Sequence, residues 1–462
     1  MYSETELILF NKKIESIIDK SQEESDKILN PNLTQRKNII NIIEKYIKKN
    51  KLIIYGGNAQ NLAIKKKDPN EIIYTNNSEI HDYDIYSYEP LKHVVIICNL
   101  IYEAGFKNIR CIEALHPETY SIKYDQYTFM DLTYMPTLLY KNLTFLVVDN
   151  FRIIDPYFTY IDFMRIFTDS LITSSFRWDK HFERFNKLQQ FYPFINTDEK
   201  INYTLLGLDK PMNKQYRKII RNYMKNNLSL LMVGINVYNK YIKLNTSKLN
   251  NKINKINETY IEIISTNYIQ DVKNFLNHLK TKTNKEIKIK ERYPFFQFRD
   301  YSTEIYIDDV LTFIIYGNNY LCVPYVIVNG IKYTTFHYNI MWFLIEKFYK
   351  ELYGLDINNT EIIKKHTEFN YEYNKIISNL IELKSNYLKS NKLTFLDNSI
   401  YQDFIIQCNG KPKTGNEIKQ ENLNYIGFKY EPSRHKKINI ENWKFRNTTG
   451  RYIKNIKNLK IK

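Results

Sequence analysis

The sequence predicts an α+β fold built from two copies of one unit, each a mixed sheet flanked by helices, with a helical amino-terminal segment and a basic carboxyl-terminal segment. Three observations lead there. Short strand-like runs alternate with helical periodicity through residues 34–190. The same order of elements recurs over residues 191–385. At 462 residues the chain also exceeds what one ordinary core holds. The organisation read from this is residues 1–33 as a helical segment, 34–190 as the first unit, 191–385 as the second and 386–462 as a basic, aromatic tail.

Each element has a local reason. Leu7, Ile8, Phe10, Ile14, Ile17 and Ile18 give the first thirty residues helical periodicity that stops near Pro31. A helix over 34–49 carries Ile39, Ile40, Ile43, Tyr46 and Ile47 on one side and feeds a short apolar strand ending at Gly56-Gly57. Helical spacing of Ala59, Leu62 and Ala63 then predicts a helix to Lys67 with Asn58 as its N-cap. A strand holds His81 to Tyr86, a helix runs from Pro90 to about Glu103, and strands are expected at 120–123, 127–134, 145–148 and 151–154. The last two are joined at Asp149-Asn150, a hairpin signal. Helical pattern dominates from Tyr157 to about Phe191.

The internal comparison carries the most information. An offset of 178 residues that separates Gly234 from Gly56 also separates Asn239 from Asn61 and Glu262 from Asp84. An offset of 184 aligns 309–315 with 125–131, and Asn329-Gly330 answers Asp149-Asn150. Where the first copy has Asp82, Asp84 and Asp131, the second is expected to have Tyr260, Glu262 and Ile315. A site that needs three carboxylates cannot work there, so the second copy is read as structural or substrate-binding.

Composition narrows the setting. A formal charge of +17 and a pI of about 9.2 favour a polyanionic partner, although an A/T-rich coding bias toward Lys, Asn, Ile and Tyr accounts for part of it. Four cysteines at 98, 111, 322 and 408 show no CxxC or Cys/His ligand spacing, which argues against a disulfide framework or zinc site. The amino terminus lacks signal-peptide character and no apolar run would span a bilayer, so a soluble, intracellular protein is expected. The tail from Lys411 to Lys462 carries 14 Lys or Arg against 4 Glu, interleaved with Tyr425, Phe428, Tyr430, Trp443, Phe445 and Tyr452. Basic residues between aromatics suit single-stranded nucleic acid; a poorly ordered terminus is the alternative.

The chemistry is concentrated in the first copy. In Asp82-Tyr83-Asp84 the two carboxylates alternate around one strand residue and point the same way, so they repel unless a cation bridges them. Such hard oxygen ligands suit Mg²⁺ or Mn²⁺. Asp131, on a strand between apolar neighbours, would complete a site for a pair of ions. Gly56-Gly57 and the helix beginning at Asn58 offer backbone amides and a dipole end to a triphosphate, though a Gly-Gly pair alone is a plain turn. Arg177, Lys180 and Arg184 recur at helical spacing and form either a cationic face for triphosphate or primer, or a solvated one. Lys65-Lys66-Lys67 reads as a solvated helix end, and His81 as a structural neighbour.

At Tyr55-Gly56-Gly57-Asn58, Asp82-Tyr83-Asp84 and Asp131 the sequence resembles the DNA polymerase β-like nucleotidyltransferase superfamily, with Asn58 where Ser is commoner. With the degenerate second copy, the whole looks like the viral poly(A) polymerases of large DNA viruses, mimivirus-type first and poxvirus-type more distantly, over residues 35–345. The resemblance implies two nucleotidyltransferase-like units and template-independent extension of mRNA 3′ ends with ATP as substrate and two Mg²⁺ or Mn²⁺ ions. It implies Asp82 and Asp84 on both metals, Asp131 on the metal that activates the 3′ hydroxyl, and Gly56, Gly57, Asn58, Arg177 and Lys180 toward the nucleotide. Its partners would be an RNA 3′ end, ATP and a second copy in a homodimer, with no membrane. Its setting would be the host cytoplasm, in the viral factory, and the virion. Uridylyl or CCA-type transfer, or a non-catalytic RNA-binding processivity protein on the same fold, are the rival readings.

Overall fold

The computed structural model describes residues 3–29, 33–74, 81–114, 118–168, 178–194, 211–245, 253–318, 322–353, 360–390, 401, 408–410 and 428–434. The chain forms two compact units, one of Met1–Tyr140, Thr144–Ile154 and Tyr425–Lys462, the other of Lys141–Leu143 and Asp155–Asn424.

The first part of the chain runs α1 (Glu4–Leu29), α2 (Leu33–Asn50), β1 (Ile53–Tyr55), α3 (Gly56–Lys67), β2 (Tyr83–Ser87), α4 (Pro90–Glu103), β3 (Ile109–Glu113), β4 (Thr119–Tyr124), β5 (Tyr127–Tyr134), α5 (Thr137–Asn142), β6 (Phe145–Val148) and β7 (Phe151–Ile154). Then come α6 (Pro156–Thr168), α7 (Trp178–Phe191), α8 (Lys214–Lys225), β8 (Leu230–Val233), α9 (Ile235–Leu244), β9 (Ile261–Ser265), α10 (Tyr268–Lys282), β10 (Ile287–Arg292), β11 (Ser302–Ile307) and β12 (Val310–Gly317). The last described elements are β13 (Val323–Val328), β14 (Ile331–Thr334), α11 (Phe336–Tyr353), α12 (Thr360–Ser390), β15 (Cys408–Asn409) and β16 (Lys429–Tyr430).

The duplication is visible in the sheets. The first has the order β16-β3-β4-β5-β2-β1-β7-β6 and the second β10-β11-β12-β9-β8-β14-β13-β15. Without the appended strands β16 and β15 the two orders are the same, element for element. In each copy the central strands pair with the same mix of directions: β1/β2 and β8/β9 antiparallel, β2/β5 and β9/β12 parallel, β1/β7 and β8/β14 parallel.

A shared irregularity fixes the alignment and corrects it by one residue. Both copies carry a register shift in the same hairpin, at Ile122/Lys123 in the first and Ile305/Tyr306 in the second. In the first copy Asp84 lies opposite Asp131, and in the second Glu262 lies opposite Ile314. The counterpart of Asp131 is therefore Ile314, and Ile315 faces the other side of its sheet. The shared bulge keeps the offset through this hairpin at 183, one less than the match of Thr128-Phe129 with Thr312-Phe313 suggests.

Local chemistry explains the elements that position the site. Helix α4 begins with Pro at its first turn and buries Leu91, Val94, Ile97, Cys98 and Ile101, spaced three and four apart, against the sheet. Each such side chain contributes about 1.5–3 kcal/mol on burial. The hairpin residues Asp149 and Asn150 have φ of 49° and 65°, and Asn329 and Gly330 have 53° and 75°, as tight two-residue turns require.

Three expectations change. Helix α1 forms, but Leu7, Ile8, Leu9, Phe10, Ile17 and Ile18 are exposed on it. Phe428 and Tyr430, read as stacking platforms for nucleic acid, are buried: β16 pairs with β3, Phe428 packs edge-on against Tyr120, and the Tyr430 hydroxyl donates to Asn99 Oδ1 at 2.6 Å. The other tail aromatics, Tyr425, Trp443, Phe445 and Tyr452, lie outside the described residues. Finally, Cys98 and Cys111 are free and buried, but Cys322 is disulfide-bonded, against the expectation drawn from cysteine spacing. No helix among the described residues is long and apolar enough to cross a membrane.

Candidate metal centre

Asp82, Asp84 and Asp131 come together in the first unit, each offering one carboxylate oxygen, all within 4.8 Å of one another. Asp82 immediately precedes β2 and is exposed; Asp84 and Asp131 are half-buried on adjacent parallel strands. Two negative charges at that separation repel by on the order of 3 kcal/mol at an effective dielectric near 20, before solvent screening. Three such charges on one shelf are the arrangement a divalent cation relieves. The donor set, all hard oxygen, fits Mg²⁺ or Mn²⁺.

Gly56 closes the shelf on its other side. Its φ is +67°, and a Cβ placed there would lie 2.0 Å from Asp84 Oδ2. Strand β1 runs antiparallel to β2 with Tyr55 opposite Asp84, so the turn into α3 brings its backbone against this carboxylate. Helix α3 starts at Gly56, not Asn58, and Tyr55 at the N-cap position provides no side-chain cap. The Asn58 side chain serves elsewhere: Nδ2 donates to the Asp82 carbonyl at 2.6 Å.

Around the triad lies a layer of hydroxyls and rings. Ser121 Oγ donates to Asp131 Oδ1 at 2.6 Å. Tyr55 and Tyr86 stack with centroids 3.9 Å apart, and the Tyr55 hydroxyl shares a hydrogen bond with Thr133 Oγ1 at 2.7 Å, which in turn meets Thr119 Oγ1 at 2.9 Å. His81 stacks on Tyr74 with ring centroids 3.5 Å apart. Lys65 pairs with Asp149 at 2.8 Å, so the lysine run is engaged at a hairpin. Lys180 is exposed on α7 in the other unit, where its backbone N–H donates to Asp179 Oδ1; Arg177 lies outside the described residues. Sequence reasoning missed Ser121 and the Tyr55–Tyr86 pair, because both depend on cross-strand register.

The second copy preserves the frame and lacks the charge. Gly234 has φ +71°, and a Cβ there would lie 1.9 Å from Glu262 Oε2, the counterpart of Gly56 against Asp84. Asn236 Nδ2 reaches the Tyr260 carbonyl at 3.4 Å, repeating the Asn58 bond. Glu262, however, is only 4% exposed, and its Oε1 accepts from Tyr316 Oη at 3.2 Å and Trp342 Nε1 at 3.3 Å. Nearby, the buried Arg299 guanidinium pairs with Glu346 and lies 4.8, 4.6 and 4.5 Å from the ring centres of Tyr316, Trp342 and Tyr349. Burial alone would favour neutral Arg299, but Glu346, these tyrosines and Glu262 hold its pKa above the ordinary value. The second copy's acidic site is thus filled by the protein's own donors and an internal cation.

Comparisons with known proteins identify the family and the fold. A family model described as the poly(A) polymerase catalytic subunit matches residues 41–172. A second, "APMV, Putative poly(A) polymerase, catalytic subunit, C-terminal", matches residues 186–462, more than half of the chain. A "Putative poly(A) polymerase catalytic subunit" of Acanthamoeba polyphaga mimivirus is 29% identical over 98% of this chain and 83% of its own length. A protein of the same description from African swine fever virus (isolate Pig/Kenya/KEN-50/1950) is 28% identical over 36% of this chain and 35% of its own. The crystal structure of the Megavirus polyadenylate synthase shares the fold at a TM-score of 0.80 and 24% identity, covering 100% of this chain and 91% of that one. The chain belongs to the viral poly(A) polymerase catalytic-subunit family.

Proposed function

We propose that this chain transfers adenylate from ATP to RNA 3′ ends without a template, at the Asp82, Asp84 and Asp131 cluster of its first copy. The observation that carries the reading is the convergence of three carboxylates within 4.8 Å beside a glycine that leaves no room for a Cβ. Asp82 and Asp84 would hold both of two Mg²⁺ or Mn²⁺ ions, and Asp131 the one on the side of the RNA 3′ hydroxyl. Bound there, the ions supply Lewis acidity and charge neutralisation for in-line displacement at the α-phosphate.

The chain's own residues position the reactants. Gly56 and Gly57 bring the first amides of α3, and its positive dipole end, to the triphosphate. Asn58 holds the Asp82 backbone, which fixes the entry to β2. Lys180 and Arg177 would contact the triphosphate or the primer. The second copy, whose acidic site is internally satisfied, serves as scaffold or substrate support.

Incubation with a short RNA and each NTP separately tests the reading. Extension with ATP is expected; preference for UTP or CTP would replace adenylyl transfer by uridylyl or CCA-type transfer. RNA binding without extension by any NTP would replace catalysis by a processivity role. Homodimer formation is tested by light scattering, and action in the host cytoplasm, viral factory and virion by immunolocalisation in infected cells.

A further inference from the structure

The two copies separate what the fold needs from what the reaction needs. Features present in both copies belong to the frame they share, whatever else they do in the first: the glycine against the carboxylate, and the asparagine bonded to the carbonyl before the strand. A feature present only beside the intact triad has no architectural duty to explain it. Ser121 is such a feature.

We propose that Ser121 is a positioning residue for Asp131, holding that carboxylate in the orientation in which it binds the divalent cation. The inference rests on the metal-site reading above. Ser121 is 5% exposed, sits directly opposite Asp131 across the β4/β5 pair, and donates its hydroxyl to Asp131 Oδ1 at 2.6 Å. A short bond from a buried hydroxyl to one carboxylate oxygen fixes the rotation of the whole group. A ligand fixed in this way loses little freedom when the cation binds.

The second copy supplies the control. Aligned on the shared bulge, Ser121 opposite Asp131 corresponds to Glu304 opposite Ile314. Glu304 does not serve the strand partner: it accepts from Arg292 at 2.9 and 3.1 Å and from Tyr306 Oη at 2.8 Å. Where the acid has become isoleucine, the hydroxyl is gone as well. The hydroxyl donor thus stands opposite the carboxylate in one copy and is absent where no carboxylate stands in the other.

The test measures Mn²⁺ binding to the full-length protein by calorimetry, without nucleotide or RNA, for wild type, Ser121→Ala, Ser121→Thr and Asp131→Asn, with thermal unfolding in parallel. Ser121→Ala is expected to weaken Mn²⁺ binding about tenfold, while Ser121→Thr, which keeps the hydroxyl, restores most of it. The Mg²⁺ concentration for half-maximal tailing should rise by the same factor. Unchanged Mn²⁺ affinity in Ser121→Ala, with affinity lost in Asp131→Asn, would overturn the role of Ser121 and leave the metal site standing. Unchanged affinity in Asp131→Asn would overturn the metal-site reading itself. Should Ser121→Ala not fold, Ser121→Thr decides: a folded threonine variant that binds Mn²⁺ about tenfold more weakly than wild type refutes positioning by the hydroxyl.

Discussion

Gly56 and its counterpart Gly234 make a paired experiment, because the same substitution in the two copies should fail in different ways. At Gly56 an added methyl meets two obstacles. The backbone φ of +67° costs an L residue about 1–2 kcal/mol. The new Cβ would also lie 2.0 Å from Asp84 Oδ2 and 3.0 Å from Asp84 Cβ. Asp84 is half-buried, so its carboxylate can swing away and spare the fold, but it then leaves the metal shelf. Gly56→Ala is therefore expected to lose about 1–2 kcal/mol of stability and at least about 100-fold in tailing rate. At Gly234 the φ is +71° with ψ at −139°, and the Cβ would lie 1.9 Å from Glu262 Oε2. Glu262 is buried and accepts from Tyr316 and Trp342, so displacing it also disrupts two hydrogen bonds to a charged group. The combined loss is about 4 kcal/mol, with tailing per folded molecule nearly unchanged. Urea unfolding gives the stabilities, and extension of a labelled RNA with ATP, normalised to folded protein, gives the rates. Tailing by Gly56→Ala within about threefold of wild type, or a smaller stability loss at Gly234 than at Gly56, would rule out this steric role for the two glycines.

Two further outcomes follow from buried charge. Glu118 is 7% exposed, and burial, with Glu113 nearby, raises its pKa to about 7 from 4.5. The folded state thus holds this proton more tightly than the unfolded state, so stability from this group falls as pH rises from about 4.5 through 7. Glu118→Gln should raise Tm at pH 8 by the equivalent of no more than about 3 kcal/mol and change little below pH 4.5, measured by calorimetry. Arg299→Met would leave Glu346 and Glu262 without their internal cation; a loss of about 3–5 kcal/mol is expected in urea unfolding, and Glu346→Gln in the same chain should recover part of it.

Much of this fold is legible where side-chain chemistry acts locally. Pro90 marks the start of α4, the residues 149–150 and 329–330 mark hairpins, and the order glycine, paired aspartates, distant aspartate marks the shelf. What stayed hidden depends on partners distant in sequence. Strand β3, Ile109–Glu113, is short and gains an outer neighbour from β16, more than three hundred residues later. Phe428 and Tyr430 look like stacking residues in a basic tail until that pairing buries them. Asn58 reads as a helix cap, yet its amide reaches 24 residues ahead to the Asp82 carbonyl. The counterpart of Asp131 was off by one because the matching pairs Thr128-Phe129 and Thr312-Phe313 suggest an offset of 184, whereas the strand pairing sets Met130 and Phe313 in equivalent places.

Among the described residues, Asp82, Asp84 and Asp131 form the acidic cluster to which adenylyl transfer is assigned in the proposal. Asp82 is exposed and precedes its strand, so Asp82→Ala should leave the fold intact. The direct measurement is extension of a short labelled RNA with ATP and Mg²⁺ by wild-type and Asp82→Ala proteins of matched Tm. A growing tail from the wild type and none from the variant is the predicted result; near-normal tailing by Asp82→Ala would contradict it.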